Sequence, residues 1–246
     1  MPPKLYLVRH AQGEHNATQD YTLPDPVLTE KGEDQCRKLQ DSFLYHETIE
    51  LVLASPLRRT IQTAALSFGP TLARNDVTFI AVPEAQEVSD MGSDTGSAPN
   101  ELKGYLAKLF ADGTLDFDIK QKLDLSLVKE GWNVKSGYYA YTREAISKRA
   151  ADLRSWLFQR PEDHVLLVTH GAFLHFLTED WDVDDPMIGT SYHNCELRQF
   201  VFTPGSSKDD AHVTETAESL NSRGAHEEEK DPHVVDELKT LSNGHA

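Results

Sequence analysis

The sequence predicts an α/β fold, a three-layer αβα sandwich with a mainly parallel central sheet. Three observations predict it. Two apolar runs, Leu5-Tyr6-Leu7-Val8 and Val165-Leu166-Leu167-Val168, read as strands buried on both faces. Each run ends in a histidine, His10 after Arg9 and His170 after Thr169. Further strands alternate with amphipathic helical segments, the pattern of parallel strands joined by helical crossovers.

The first strand follows Met1-Pro2-Pro3-Lys4, which has no apolar leader, so secretion is not expected. Asp25-Pro26-Val27-Leu28-Thr29 opens a helix with Thr29 as N-cap and Cys36, Leu39 and Phe43 at helical spacing. Leu51-Val52-Leu53-Ala54-Ser55 is the second strand, and Pro56 is placed at the first position of the next helix. Thr78-Phe79-Ile80-Ala81-Val82 is the third strand. Residues 84–100, rich in Gly, Ser, Asp and Pro, read as a long loop, 101–110 as a helix and 111–142 as mixed. From Thr142 through Phe158 the apolar positions Ala145, Ile146, Ala150, Leu153, Trp156 and Leu157 recur at helical spacing. The strand ending at His170 follows, Gly171 begins a helix, and Cys195 to Phe202 closes the body as an alternating strand.

Residues 1–204 are thus expected to form one domain. Residues 205–246 are acidic and poor in large apolar side chains, the composition of a disordered tail. A weak amphipathic pattern there falls at Val234, Val235, Leu238 and Leu241. On this reading, deleting 205–246 leaves catalysis nearly unchanged.

The net charge is −16, of which −6 lies in the tail and −10 in the body. Such a body has no general attraction for nucleic acid or an anionic membrane, and no apolar run is long enough to span a bilayer. An anionic substrate must be held by a few local cations. Only Cys36 and Cys195 are present, so no disulfide framework is expected and a reducing cytoplasmic or nuclear setting is the default.

The chemistry gathers at strand ends, where open α/β sheets bind ligands. Arg9 offers a planar fork of donors matched to phosphate oxygens, and a neutral His10 beside it can attack phosphorus. Ala11 to Asn16 reads as a loop opening onto a helix, whose N–H groups favour a phosphate. Ser55-Pro56-Leu57-Arg58-Arg59 places two arginines on the first turn of a helix, one for the cleft and one for solvent. Pro83-Glu84-Ala85-Gln86-Glu87 supplies carboxyls just past another strand, suited to protonating a leaving group and then activating water. His15, His46, His164, His175 and His193 have no motif around them and read as ordinary surface or core histidines.

These segments together resemble the histidine phosphatase superfamily, in the branch of cofactor-dependent phosphoglycerate mutases and related phosphatases. Arg9-His10-Ala11 matches its Arg-His-Gly signature with Ala in place of Gly. Leu28-Thr29-Glu30-Lys31-Gly32-Glu33-Asp34-Gln35 is similar to its Leu-Thr-x-x-Gly-x-x-Gln helix start. Ser55 to Arg59 matches Ser-x-Leu-x-Arg, and Val168-Thr169-His170-Gly171 the second histidine motif. The resemblance spans roughly residues 4–204.

The resemblance implies a phosphoglycerate mutase-like fold and a phosphohistidine formed on His10. Arg9, Arg59, Asn16, His170 and Gly171 would bind the phosphoryl group. Glu87, with Glu84 as the fallback, would be the acid and base. Residues 88–142 would form a loop-rich cover over the active site, with Trp132, Tyr138, Tyr139 and Tyr141 in it, and Lys135 and Arg143 near a second anionic group. No metal or cofactor is called for, and the expected partner is a small phosphorylated metabolite. Gly13 stands where the mutases carry a hydroxyl, which favours a phosphatase over a mutase-type phosphotransferase. A non-catalytic phospholigand binder is the third reading, and retention of His10, Arg59 and His170 speaks against it.

Overall fold

The computed structural model describes residues 1–111, 113–179, 192–223 and 232–243. The chain runs β1 (Lys4–Arg9), α1 (Glu14–Thr18), α2 (Glu30–Ser42), β2 (Leu51–Ala54), α3 (Arg58–Ser67), α4 (Gly69–Ala73), β3 (Thr78–Ala81), α5 (Pro99–Leu109), α6 (Ile119–Lys122) and β4 (Leu123–Asp124). It continues through α7 (Arg143–Phe158), β5 (His164–Thr169), α8 (Gly171–Thr178), β6 (Leu197–Phe202), β7 (Val213–Glu215), α9 (Ala217–Arg223) and α10 (Pro232–Asn243).

The strands form one seven-stranded sheet in the order β4-β3-β2-β5-β1-β6-β7. The five strands from β4 to β1 are parallel, while β6 and β7 are added antiparallel. Successive strand side chains point to opposite faces. Leu5, Leu7, Leu51, Leu53, Val165 and Leu167 therefore pack on one face against α7 and α8. Tyr6, Val8, Val52, Ala54, Leu166 and Val168 pack on the other, against α3, α4 and α5. This is the αβα sandwich that the strand–helix alternation predicts. No described helix is long and apolar enough to cross a membrane.

The expected cap at Thr29 is present, and Thr142 supplies another. The Thr29 side chain accepts from the Gly32 N–H, and Thr142 caps α7 by accepting from Ala145. Other expectations are corrected. Pro56 does not open a helix: α3 begins at Arg58, whose N–H is taken by Asp25 Oδ1 at 2.9 Å. The last body strand begins at Leu197, because Cys195 sits in a turn at φ 65°. The 88–142 cover is only partly loop, since it carries α5, α6 and β4, and β4 joins the sheet edge.

The largest correction concerns the segment from residue 205, expected to be disordered. It contributes β7 to the sheet, with Val213 in the core, and α9 behind it. Helix α10 packs on α8, and its Leu241 is buried in the same cluster as Phe173 and Leu177. A few well-placed apolar residues thus anchor a segment whose composition is mostly polar. Residues 224–231 and 244–246 of that tail lie outside the described residues.

Candidate active site

The sheet brings the two histidines together. Strands β1 and β5 are neighbours with Arg9 paired to Thr169, so His10 and His170 leave adjacent strand ends side by side. The His10 N–H donates to the Thr169 carbonyl at 2.9 Å, and the two rings lie 5.2 Å apart. Arg59 reaches both from the first turn of α3. Its Nε donates to His10 Nε2 at 3.2 Å and its Nη2 to His170 Nδ1 at 3.1 Å.

The hydrogen bonds specify both tautomers. His10 Nδ1 donates to the Ala11 carbonyl at 2.7 Å, which leaves Nε2 as the lone pair facing Arg59. His170 Nδ1 accepts from Arg59, so its Nε2–H donates to Ser55 Oγ at 2.9 Å. Burial, then the charges of Arg59 and Arg9, hold His10 well below the usual imidazole range. Burial and Arg59 do the same for His170. Both rings are therefore neutral at pH 7, and His10 presents an unprotonated nitrogen, as a nucleophile must.

The loop after His10 is braced from three sides. The Ala11 N–H donates to Thr63 Oγ1 at 3.0 Å, and Ala11 has no positive φ, so the methyl in place of the usual Gly costs no backbone strain. The Gln12 N–H donates to Gln35 Oε1 at 2.8 Å, and the Gln12 carbonyl accepts from Thr29 N–H at 3.0 Å. The α2 start packs so tightly here that a Cβ on Gly32 would lie 2.2 Å from the Gln12 carbonyl oxygen. At Gly13, a Cβ would meet the His15 ring at 2.8 Å. His15, read from sequence as unremarkable, is buried with its ring 5.7 Å from His10. It crowds the point where a side chain at position 13 would begin.

Arg9 is buried, and its Nη1 donates to the Tyr192 carbonyl at 2.6 Å. Asn16 uses its carboxamide oxygen on the Gly13 N–H at 3.0 Å, which shapes the loop. Gly171 begins α8 with His170 as its N-cap.

The two candidate carboxyls separate cleanly. Glu87 is buried, and its Oε1 accepts from the Val88 and Phe173 N–H groups at 3.0 Å each. Burial and the Asp94 carboxylate push it up to about 7, against the pull of Arg59. Glu84 instead lines a separate cleft with Tyr138, Asp152 and Trp156. The cover aromatics are largely structural. Trp132 is buried in the core against Gly96 and donates from Nε1 to the Ser97 carbonyl at 3.0 Å. Tyr138 faces Asp152, and Arg143 lies over the Phe176 ring.

Several residues of the site carried no motif. Asp94 accepts from Arg59 Nη2 at 2.9 Å and from Ser89 at 2.6 Å. Against the cost of burial, Arg59 and Lys135 hold it below the usual carboxylate range. Lys135 Nζ donates to the Glu87 carbonyl at 2.7 Å, and burial, then Arg149, push it down to about 7. Arg149, fully buried, fixes the turn that presents Glu87 by donating to the Glu84 and Gln86 carbonyls at 2.9 and 2.5 Å. From α10, the buried Glu237 carboxyl reaches Asp94 and Ser89; burial and the carboxylates of Asp94 and Glu87 push it well up. The amphipathic pattern around Leu241 was the only sequence sign of this helix.

The match to known proteins agrees with this geometry. Residues 5–208 match the model of the histidine phosphatase superfamily, branch 1. The chain is 31% identical over 231 residues to "Phosphoglycerate mutase-like protein 1" of Arabidopsis thaliana, covering 82% of each. It is 28% identical over 207 residues to a Schizosaccharomyces pombe protein named as a probable phosphatase, covering 80% of this chain and 88% of that one. In fold it resembles a phosphoglycerate mutase from Bacillus anthracis, with a TM-score of 0.52 at 18% identity over 96% of both chains. The chain belongs to branch 1 of the histidine phosphatase superfamily.

Proposed function

We propose that the protein is a phosphomonoesterase acting on a small phosphorylated metabolite through a phosphohistidine on His10. The observation that carries this reading is the His10 tautomer: Nδ1 is tied to the Ala11 carbonyl and neutral Nε2 faces the guanidinium of Arg59. In the first step His10 Nε2 attacks phosphorus in line. The P–O bond to the leaving group breaks, and protonated Glu87 supplies the proton that the leaving oxygen takes. Arg9, Arg59, His170, Asn16 and the N–H groups at Gly171 hold the equatorial oxygens. In the second step Glu87, now a carboxylate, removes a proton from the water that attacks phosphorus, and the P–N bond breaks. The phosphoryl charge is offset by side chains and backbone donors, so this route calls for no metal.

Kinship with a probable phosphatase supports hydrolysis, as does Gly13 at the position where the mutases carry a hydroxyl. A mutase-type transfer is the second reading, favoured by the name of the Arabidopsis relative. One assay separates them: phosphate release from a panel of phosphomonoesters and diphosphates, with chelator present, by the wild type and the folded His10→Ala variant. Hydrolysis predicts chelator-resistant release that falls to background without His10. Isomerisation of a phosphoglycerate without phosphate release would replace it with the mutase reading.

A further inference from the structure

The backbone of His10 is held by a turn that carries one of the chain's two cysteines. Cys195 donates its N–H to the Arg9 and His10 carbonyls at 3.1 and 3.2 Å. Asn194 Nδ2 donates to the same His10 carbonyl at 3.1 Å, and the Glu196 carbonyl accepts from Arg9 N–H at 3.1 Å. The turn needs a left-handed residue at Cys195, φ 65°, a conformation that favours Gly or Asn over a side chain such as cysteine's.

The Cys195 thiol packs against Cys36 of α2 in a small cluster with Ala11 and Leu28. The two side chains lie together in that cluster, and Ser67 Oγ lies 3.8 Å from Cys195 Sγ. Residues 159 positions apart therefore meet directly beneath the nucleophile's loop. Both thiols are free, Cys36 fully buried and Cys195 half-buried.

The geometry points to Cys36 and Cys195 as a site of covalent modification, a dithiol that a peroxide closes to an intramolecular disulfide and so displaces the His10 backbone. One of the two thiols, as its thiolate, attacks a peroxide oxygen, the O–O bond breaks, and hydroxide leaves to be protonated to water. That cysteine is then a sulfenic acid. The other thiol attacks its sulfur, the S–O bond breaks, and the second water leaves with that thiol's proton. The two sulfurs lose two electrons and the peroxide gains them.

A disulfide requires about 2 Å between sulfurs, shorter than a thiol–thiol hydrogen bond. Closing that gap draws the 193–196 turn toward α2 and pulls on the carbonyls of Arg9 and His10. Misplacement of a reacting group by about 1 Å costs on the order of a hundredfold in rate.

The experiment uses the full chain. Wild type and Cys36→Ser are treated with hydrogen peroxide, thiol-blocked, digested and mapped by mass spectrometry, with turnover of p-nitrophenyl phosphate followed in parallel; Cys36→Ala substitutes if the serine variant does not fold. The expected result is a wild type that loses two hydrogens, yields a Cys36–Cys195 linked peptide, and loses roughly tenfold or more of its turnover. Dithiothreitol restores that turnover, and the Cys36 variant keeps its own. A wild type that stays reduced, cross-links between molecules or stops at a sulfinic acid overturns the proposal. A linked peptide with unchanged turnover overturns its coupling to His10. The coupling rests on the phosphatase reading, but the peptide map does not, so an enzyme inactive before oxidation sinks that reading alone.

Discussion

At the scale of single residues, the site works by setting two protonation states in opposite directions. His10 is neutral because burial and two arginines disfavour its cation, while Glu87 holds its proton because burial and Asp94 disfavour its anion. The first step needs both states. Turnover of alkyl phosphates should therefore fall as pH rises through about 7, where Glu87 ionises. The acid limb should lie well below the range of a free imidazole, because only there does His10 take a proton. Glu87→Gln should lower turnover of an alkyl phosphate by roughly 10²–10⁴-fold. With p-nitrophenyl phosphate, whose leaving group needs no proton, a burst of nitrophenol should survive; loss of the burst would mean that Glu87 is not the acid. His10, Arg9, Arg59 and His170 were legible in the sequence because each stands at a strand end or helix start, where local pattern fixes position. Asp94 and Arg149 were not, because a long loop and the middle of a helix gave no periodicity to point them at the cleft.

Among the elements, the start of α2 is a brace for the loop that follows His10. Gly32, Thr29 and Gln35 all contact Gln12, which explains why that helix start has its composition. Gly32→Ala tests this by setting two effects against each other. Alanine gains up to about 1 kcal/mol of helix propensity. Its methyl would stand 2.2 Å from the rigid Gln12 carbonyl, and forcing such an overlap typically costs about 1–3 kcal/mol or more. Urea denaturation should show net destabilisation with reduced turnover; an unchanged or higher midpoint would show that the brace is slack. The positions of β1, β2, β3 and β5 followed from apolar runs, and the cap of α2 from Thr29. The false helix start at Pro56 had a physical origin: Asp25, distant in sequence, takes the Arg58 N–H and shifts the start by a turn contact that no local pattern carries.

At the scale of the molecule, the C-terminal segment belongs to the fold. Val213 and Leu241 enter the core and Glu237 enters the site, although the stretch around them is polar enough to read as a tail. Deleting residues 232–246 should lower stability by about 2–5 kcal/mol, the usual cost of losing a buried leucine. It should also change turnover, because Asp94 and Ser89 lose the Glu237 carboxyl. Thermal unfolding and kinetics of the truncated chain check this; identical values for both chains would return the segment to the status of a passive tail. Composition averages over a segment, whereas anchoring depends on two or three residues, which is why this part was illegible.

The phosphoenzyme itself is the most direct object to measure. The wild type and His10→Ala should be mixed with a ³²P-labelled phosphomonoester in the presence of chelator, quenched in alkali on a millisecond scale, and mapped. Phosphohistidine, stable in alkali and lost in acid, should appear at His10 in the wild type and be absent from the variant. Label on another residue, or steady turnover with no label at His10, would contradict the mechanism.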